Sequence, residues 1–176
     1  YSERMVRMEQ RFLHIMECDI DLEQSPVILR GPMDNAALER DWEYKNGLWT
    51  VQGEWICGRH AGNSGGILYS RQHCPGDVLL EFEGRTVPPC ENDLNFTWHA
   101  AGWDEARGDA GESYIGGLAG WWDGKAGIEH YPTCLPRAAT PLFPFEAGRL
   151  YFIQAGSIGG HCFLFVDGAL VIELFD

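Results

Sequence analysis

Residues 150–174 read LYFIQAGSIGGHCFLFVDGALVIEL and contain three short apolar runs, at 150–155, 162–166 and 170–174. Asp167-Gly168, a dipeptide typical of tight hairpins, separates the last two runs, and Gly159-Gly160 precedes the second. Runs of this length that are joined by turn residues predict antiparallel strands.

Two further segments show the period of two that is typical of half-buried strands. In 78–87 (VLLEFEGRTV) and 93–99 (DLNFTWH), apolar residues alternate with polar ones. The chain has no internal repeat and no pattern of a long helix. Many short antiparallel strands predict an all-β protein, specifically a β-sandwich or jelly roll of two antiparallel sheets.

The segment before these strands has helix and hairpin signals of its own. Asp34 is a suitable N-cap for a short helix at 35–40. Asn46-Gly47 lies between candidate strands at 41–45 and 48–51, and a third follows at 54–57, so we expect a small antiparallel meander. We predict an N-terminal arm at 1–32 and a single sandwich domain at 33–176.

The composition excludes several classes of partner. The 176 residues carry a net charge of −13, which argues against nucleic acid and anionic membranes as ligands. No run of 18 apolar residues is present, so no membrane-spanning segment is expected. Residues 1–17 lack the apolar region of a secretory signal. The six cysteines would allow disulfides in a secreted protein, but we favour free thiols and a cytoplasmic location.

Residues 114–131, YIGGLAGWWDGKAGIEHY, combine aromatic, charged and glycine residues. Adjacent strand residues point to opposite faces, so Trp121 and Trp122 cannot both enter one core unless the backbone leaves the strand. An exposed indole beside charged groups suits a sugar, which has apolar C–H faces and hydroxyls. The alternative is that these tryptophans are core residues at a bent corner.

Several segments carry a resemblance to a known fold family. Residues 42–71 resemble the opening strands of concanavalin A-like lectin/glucanase sandwiches. The stretches at 76–87, 92–100, 114–132, 140–168 and 171–174 resemble a bacterial family of unknown function within that fold, often associated with pectin and rhamnogalacturonan breakdown. The resemblance covers about residues 40–176 and implies a curved two-sheet sandwich whose concave face binds a saccharide.

On this hypothesis the candidate site residues divide into three groups. Trp122 and Tyr114 would stack on the sugar. Asn95, Asp93, Arg71 and Lys125 would bind it through polar contacts. The acid/base candidates are Glu129, His161 and His99.

Three kinds of activity stay open at this point. A hydrolase needs two carboxyls, and Glu81 and Glu83 share a strand face. However, related glucanases carry an E-x-D-x-E pattern, whereas this chain has Arg85 in place of the third acid. A lyase needs a group that neutralises a uronate and a base, for which Arg, His and Tyr residues are present. A lectin-like module needs only stacking and hydrogen-bonding groups.

We expect no cofactor and no zinc site, because the six histidines lack HxH and HExxH spacing. Asp77 and Asp123 are the residue types that could bind a structural calcium, although no calcium-loop pattern is present. The expected partner is a saccharide, and pairing of sandwich sheets would give a homo-oligomer.

Overall fold

The computed structural model describes residues 11–60, 66–135 and 137–176, with their side chains except those of Trp121 and Trp122. Strands make up 49% and helices 6%, so the predicted all-β class is confirmed. In chain order the elements are β1 (Phe12–His14), β2 (Asp19–Asp21), α1 (Asn35–Asp41), β3 (Trp42–Lys45), β4 (Leu48–Gln52), β5 (Trp55–Arg59), β6 (Ile67–Ser70), β7 (Val78–Gly84), β8 (Leu94–Trp98), β9 (Trp103–Asp104), β10 (Asp109–Ala110), β11 (Ser113–Leu118), α2 (Trp121–Gly124), β12 (Ala126–Tyr131), β13 (Arg137–Thr140), β14 (Tyr151–Ile158), β15 (His161–Val166) and β16 (Ala169–Phe175).

The chain forms two compact units. The first comprises the described residues up to Pro26 together with Pro75–Ala100 and Glu112–Asp176, and the second comprises Val27–Cys74 and Ala101–Gly111. The predicted division into an arm at 1–32 and one domain at 33–176 stays a prediction.

The first unit contains two four-stranded antiparallel sheets. The first sheet has the order β13-β12-β11-β8 and the second the order β16-β15-β14-β7. One core joins them, because Phe96, Trp98 and Ile128 of the first sheet pack with Ile153, Leu164 and other residues of the second. The strands predicted from residues 150–174 are confirmed as β14, β15 and β16.

The alternation of side chains decides which residues enter this core. On β7, Val78, Leu80 and Phe82 pack against the core, whereas Glu81 and Glu83 are exposed on the other face. On β15, all six side chains are buried. This strand therefore has apolar neighbours on both of its faces, which explains why HCFLFV shows no alternation.

A hairpin of the N-terminal segment covers the outer face of the second sheet. Strands β1 and β2 pair antiparallel, and Leu13, Ile15 and Ile20 pack against Phe163 and Phe165 in a second apolar cluster. The hairpin strands have only three residues each, so the sequence carries no periodic signal for them. Their burial comes from the tertiary contact.

The second unit contains α1 and three strand pairs. The predicted helix start is confirmed, since Asp34 Oδ1 accepts a hydrogen bond of 2.7 Å from the backbone N–H of Ala37. The expected hairpin across Asn46-Gly47 is wrong: β3 pairs with β6, and β4 pairs with β5. Both turn residues have the positive φ that the dipeptide predicted, so the local turn forms without strand pairing across it.

All six cysteines are free thiols. Neither helix in the described ranges has both the length and the apolar character that a membrane crossing requires.

Candidate functional site

The outer face of the first sheet, which we call the polar face, combines polar groups with a strip that has no side chains. Phe96, Leu118 and Ile128 contribute to the core, so their neighbours along each strand point away from it. The polar face consists of Asn95 and Thr97 on β8, Ser113, Ile115 and Gly117 on β11, Gly127, Glu129 and Tyr131 on β12, and Arg137 and Ala139 on β13.

One row across this face, the glycine row, runs through all four strands. The register places Asn95 beside Gly117, Gly117 beside Gly127, and Gly127 beside Ala139. Asn95 and Ala139 are exposed, whereas the two glycines are buried. The row is therefore a floor without side chains on the two central strands, and its two ends reach solvent.

The next row places a buried carboxyl group at the centre of the sheet. It consists of Thr97, Ile115, Glu129 and Arg137. Glu129 is only 5% exposed, and its Oε2 atom has no hydrogen-bond donor within the described part of the chain. A buried carboxyl oxygen without a donor opposes folding, so Glu129 is a candidate for a functional group.

The Cys134 thiol lies near Glu129. Burial, followed by the interaction with the Glu129 carboxylate, raises the pKa of Cys134 above its ordinary value, while the thiol donates to the carbonyl oxygen of Pro132 at 3.7 Å. Cys134 therefore stays a neutral thiol beside the carboxyl group at neutral pH.

Two of the predicted sugar ligands, Asp93 and Asn95, lie together at one edge of the polar face. A Cβ atom on Gly120 would lie 2.7 Å from Asp93 Oδ1 and 3.3 Å from Asn95 Oδ1. Both polar side chains thus converge on the backbone of Gly120, where only glycine leaves them room. They are exposed, so their remaining hydrogen-bonding capacity faces solvent.

Lys125 and Trp122 belong to the connection between β11 and β12. Lys125 is half-buried and directly precedes β12. The side chain of Trp122 lies outside the described part of the structure, so its stacking role stays a prediction.

The three acid/base candidates are not brought together. Glu129 lies on the outer face of the first sheet, and His161 lies on the outer face of the second, because its neighbour Cys162 points into the core. His99 follows β8 with a φ of 51°, and its Nε2 lies 2.8 Å from the carbonyl oxygen of Gly76. A common catalytic centre of these three residues is therefore inconsistent with the faces they occupy.

The surroundings of His161 are those of a structural residue. Its side chain is 1% exposed, its ring stacks on Phe175 with a centroid distance of 4.2 Å, and Nε2 lies 2.7 Å from Glu173 Oε2. The same Glu173 oxygen accepts a hydrogen bond from the backbone N–H of Met16. His161 and Glu173 thus connect the second sheet to the end of β1.

The carboxyl pair considered for hydrolysis also lies on the outer face of the second sheet. Glu81 and Glu83 are exposed, and Glu81 Oε2 accepts a 3.0 Å hydrogen bond from Nε2 of the buried Gln154. Arg71 belongs to the second unit, where its Nη1 lies 3.4 Å from Glu43 Oε2.

A polar cluster that the sequence did not predict lies on the core side of the first sheet, and we call it the end cluster. The hydroxyl of Tyr114 donates a short hydrogen bond to Asp176 Oδ2. His130 Nδ1 lies 3.0 Å from the same oxygen, and His130 Nε2 lies 3.1 Å from Glu112 Oε1. The ring of Tyr114 stacks on the buried Trp98 at 5.5 Å.

The hydroxyl of Tyr114 and the neighbouring thiol of Cys162 stay neutral over a wide range of pH. Burial and then the hydrogen bond to Asp176 raise the pKa of Tyr114 above its ordinary value of 10.0. Burial and then the charge of Asp176 raise the pKa of Cys162 from 9.0 to about 12. Tyr114 therefore acts as a hydrogen-bond donor in this setting. The raised pKa opposes a role for Tyr114 as a base, and its position beside the buried Trp98 opposes the predicted role as a sugar platform.

The pairing of β11 with β12 brings two members of the end cluster together. Tyr114 and His130 are direct partners in the pairing of β11 with β12, and their rings lie 5.0 Å apart. The third member, Asp176, follows β16 and is 46 positions beyond His130 in the chain. Only the packing of the two sheets brings it near, so no local pattern could predict the contact.

The end cluster predicts a loss of stability in alkali. Because the pKa of Cys162 is higher in the folded state, the neutral thiol stabilises the folded protein. This contribution to the free energy of unfolding is fully present below pH 9.0 and disappears as the pH rises toward 12. We expect the free energy of unfolding to fall by about 1.4 kcal/mol for each pH unit above 9, and more steeply where Tyr114 also titrates. Urea unfolding between pH 7 and 10.5 measures this slope.

Cys162→Ala should flatten the dependence of the free energy of unfolding on pH above pH 9. The variant should also be less stable than the wild type at pH 7, because removal of the buried thiol leaves a cavity. Cys18→Ala, which removes an exposed thiol, is the matched control and should leave the slope unchanged. An alkaline slope that is the same in both variants would contradict the assignment.

Within the described residues, no group of three or more His, Cys, Asp or Glu side chains is placed to hold a metal ion. Asp77, one of the two residues considered for calcium, instead accepts a hydrogen bond of 2.9 Å from the backbone N–H of Gly159. Asp123 is exposed in α2 with a φ of 61°.

Comparison of the chain with protein-family models, curated proteins and solved structures finds no match. The family resemblance drawn from the sequence stays a prediction. A function must therefore be argued from the geometry of the sites.

Proposed function

We propose that the polar face binds a saccharide, with Glu129 as the central hydrogen-bonding group and no hydrolytic chemistry. The observation that carries the proposal is the buried Oε2 atom of Glu129, which lacks a donor in the described part of the chain, beside the glycine row. A sugar hydroxyl is the kind of donor that this oxygen lacks.

The glycine row suits the shape of such a ligand. Gly117 and Gly127 are direct partners on the two central strands, so neither strand contributes a side chain of its own at this row. Asn95 and Asp93 lie at the β8 edge, where their amide and carboxylate can bind further hydroxyls. The ligand would enter from this exposed edge.

The opposite edge of the face carries a positive charge. Arg137 on β13 is exposed and is the direct partner of Glu129 in the pairing of β12 with β13. In a chain with a net charge of −13, this arginine makes the polar face less repulsive to anionic groups than the average surface. Saccharides with neutral or mildly acidic units both fit this arrangement.

The spacing of carboxyl groups favours binding over hydrolysis. Glu129 is the only carboxyl residue at the described strand positions of the polar face. Asp93, the predicted carboxylate ligand, directly precedes β8, which is two strands from the β12 strand that carries Glu129, so strand spacing alone separates the two backbones by about 10 Å. Two-carboxyl glycosidases need a separation of about 5 to 9.5 Å.

The test compares Glu129→Gln with wild-type protein. Calorimetric titration with neutral oligosaccharides should show affinity reduced about tenfold or more in the variant, because the neutral amide oxygen of glutamine is a weaker acceptor than a carboxylate. The same substitution should raise the free energy of unfolding by about 1 kcal/mol, because the charge of a buried carboxyl group is removed. A gain in stability that accompanies a loss of binding is the signature of a residue retained for function.

Glu81→Gln, on the outer face of the second sheet, is the matched control and should leave the saccharide affinity unchanged. Equal binding by both variants would refute the proposal. New reducing ends, or the ultraviolet absorbance of an unsaturated uronate, would show instead that the face belongs to a hydrolase or a lyase.

A further inference from the structure

The second unit contains an open groove in which three arginines meet. The groove has a volume of about 480 Å³, and its lining includes Arg30, Arg40 and Arg71. Asp41 is the only carboxyl residue among the described residues that line it. We propose that this groove, which we call the arginine groove, binds the carboxylate of an acidic saccharide.

The excess of acidic residues in the chain makes a group of arginines in one groove unusual. Acidic residues number 26 and basic residues 13, so each cation has on average two carboxylates available within the protein. Arg11, Arg107 and Arg149 follow this expectation, each pairing with an aspartate at 2.7 to 3.0 Å. Within the described ranges, Arg30 makes neither a hydrogen bond nor an ion pair, although the chain is strongly acidic.

The one carboxylate in the groove is already occupied. Arg40 donates from Nε and Nη2 to the two oxygens of Asp41 at 2.8 and 2.5 Å. The hydrogen bonds from this guanidinium hold the pKa of Asp41 below its ordinary value. Both side chains therefore stay ionised and paired with each other. Of the other two arginines that line the groove, Arg30 has no carboxylate partner in the described part of the chain, and Arg71 has one long contact with Glu43.

Arg71 retains donors for a ligand. Its contact with Glu43 is 3.4 Å, which is longer than a typical charge-assisted hydrogen bond, and Glu43 also faces Lys45 at 3.6 Å. A guanidinium carries five N–H donors, so most of those on Arg71 are uncommitted by this contact. The backbone N–H of Arg71 donates to the carbonyl oxygen of Asp41 at 2.8 Å, which fixes the base of this side chain in the groove.

The remaining lining suits the body of a sugar acid. Ile28 is 50% exposed beside the arginines and offers an apolar surface to the C–H face of a ring. Gln72 adds a carboxamide, which can both donate to and accept from hydroxyls. The guanidinium of Arg30, which is unpaired among the described residues, the remaining donors of Arg71, an apolar contact and an amide match a uronate unit more closely than an inorganic anion. The inference concerns the second unit and does not rest on the function proposed for the polar face.

The experiment compares two ligands that differ mainly in the carboxylate. Galacturonate and galactose are titrated separately into the full chain at moderate salt, and binding is followed by calorimetry. We expect galacturonate to bind and galactose to bind at least tenfold more weakly at this groove. Arg30→Gln and Arg71→Gln should each weaken galacturonate binding about tenfold or more, and the double variant should abolish it.

Arg59→Gln is the control, because it removes an exposed arginine of the same unit that does not line the groove. Unfolding curves of the three single variants should coincide, which excludes loss of folding as the cause. Equal binding of galactose and galacturonate at the groove, or equal weakening by Arg59→Gln, would overturn the proposal. So would inorganic phosphate competing as strongly as galacturonate. Loss of galacturonate binding in Glu129→Gln, with full binding in Arg30→Gln, would place the acid on the polar face instead.

Discussion

Gly156→Ala is expected to lower the free energy of unfolding by about 3 kcal/mol or more, because the added methyl group has no space. A Cβ atom at this position would lie 1.9 Å from the carbonyl oxygen of Val78 and 3.1 Å from Cα of Leu79. Both neighbours are backbone atoms of β7, which pairs with β14 along seven residues. The strands would have to separate or shift to admit the side chain.

Gly84→Ala is the matched control, because Gly84 lies in the same strand pair, opposite Tyr151. The nearest atoms to its Cβ would be side-chain atoms of Phe82 and Leu94 at 3.2 and 3.3 Å, which can move by a few tenths of an ångström. We expect a loss of about 1 kcal/mol or less there. Urea unfolding of both variants decides the matter: a Gly156→Ala protein as stable as Gly84→Ala would mean that β7 and β14 are not packed this closely.

The strands of the first unit could be predicted from sequence because their signals are local. Residues 150–174 carry apolar runs and a hairpin dipeptide, and these correspond to β14, β15 and β16. The alternation in 78–87 and 93–99 likewise corresponds to β7 and β8. The alternating segments reflect burial of one strand face, and the continuous apolar run of β15 reflects burial of both faces. Neither signal depends much on which strand is the neighbour.

Strand partners were less predictable, because pairing depends on the rest of the fold. Asn46-Gly47 forms its turn, yet β3 pairs with β6, which begins at Ile67. The hairpin of β1 and β2 has strands of three residues, too short for any periodic signal. Its stability comes from contact with Phe163 and Phe165, which lie far away in the sequence.

The candidate site shows the same limit at the level of single residues. Asp93 and Asn95 were predicted together and lie together beside Gly120, although Asp93 precedes β8 and has a φ of 72°. Glu129 and His161 belong to different sheets, so their relative position depended on sheet packing that the sequence does not display. Tyr114 was predicted to bind a sugar, but residue parity along β11 places it beside Trp98 instead.

Phe163→Ala is expected to lower the free energy of unfolding by about 3 to 5 kcal/mol and to release the N-terminal hairpin. The Phe163 side chain is fully buried and packs with Leu13, Ile15 and Ile20 of the hairpin. Phe165, Leu79 and Ile158 of the second sheet belong to the same apolar cluster, and the backbone N–H of Met16 donates to Glu173. Removing the Phe163 ring takes away a fully buried part of the apolar surface on which the hairpin rests.

Limited trypsin digestion under native conditions distinguishes release of the hairpin from general loosening of the fold. Arg11 lies at the base of the hairpin, where its guanidinium pairs with Asp21 at 2.8 Å and its carbonyl oxygen accepts from the N–H of Leu22. In Phe163→Ala, cleavage after Arg11 should become faster than cleavage at Arg149, because opening of the hairpin exposes only the first site. Phe175→Ala, which removes a half-exposed ring, should leave both rates near those of the wild type. Equal acceleration at the two sites would mean that the hairpin and the two four-stranded sheets unfold as one cooperative unit. Phe163 would then stabilise the whole fold rather than the attachment of the hairpin.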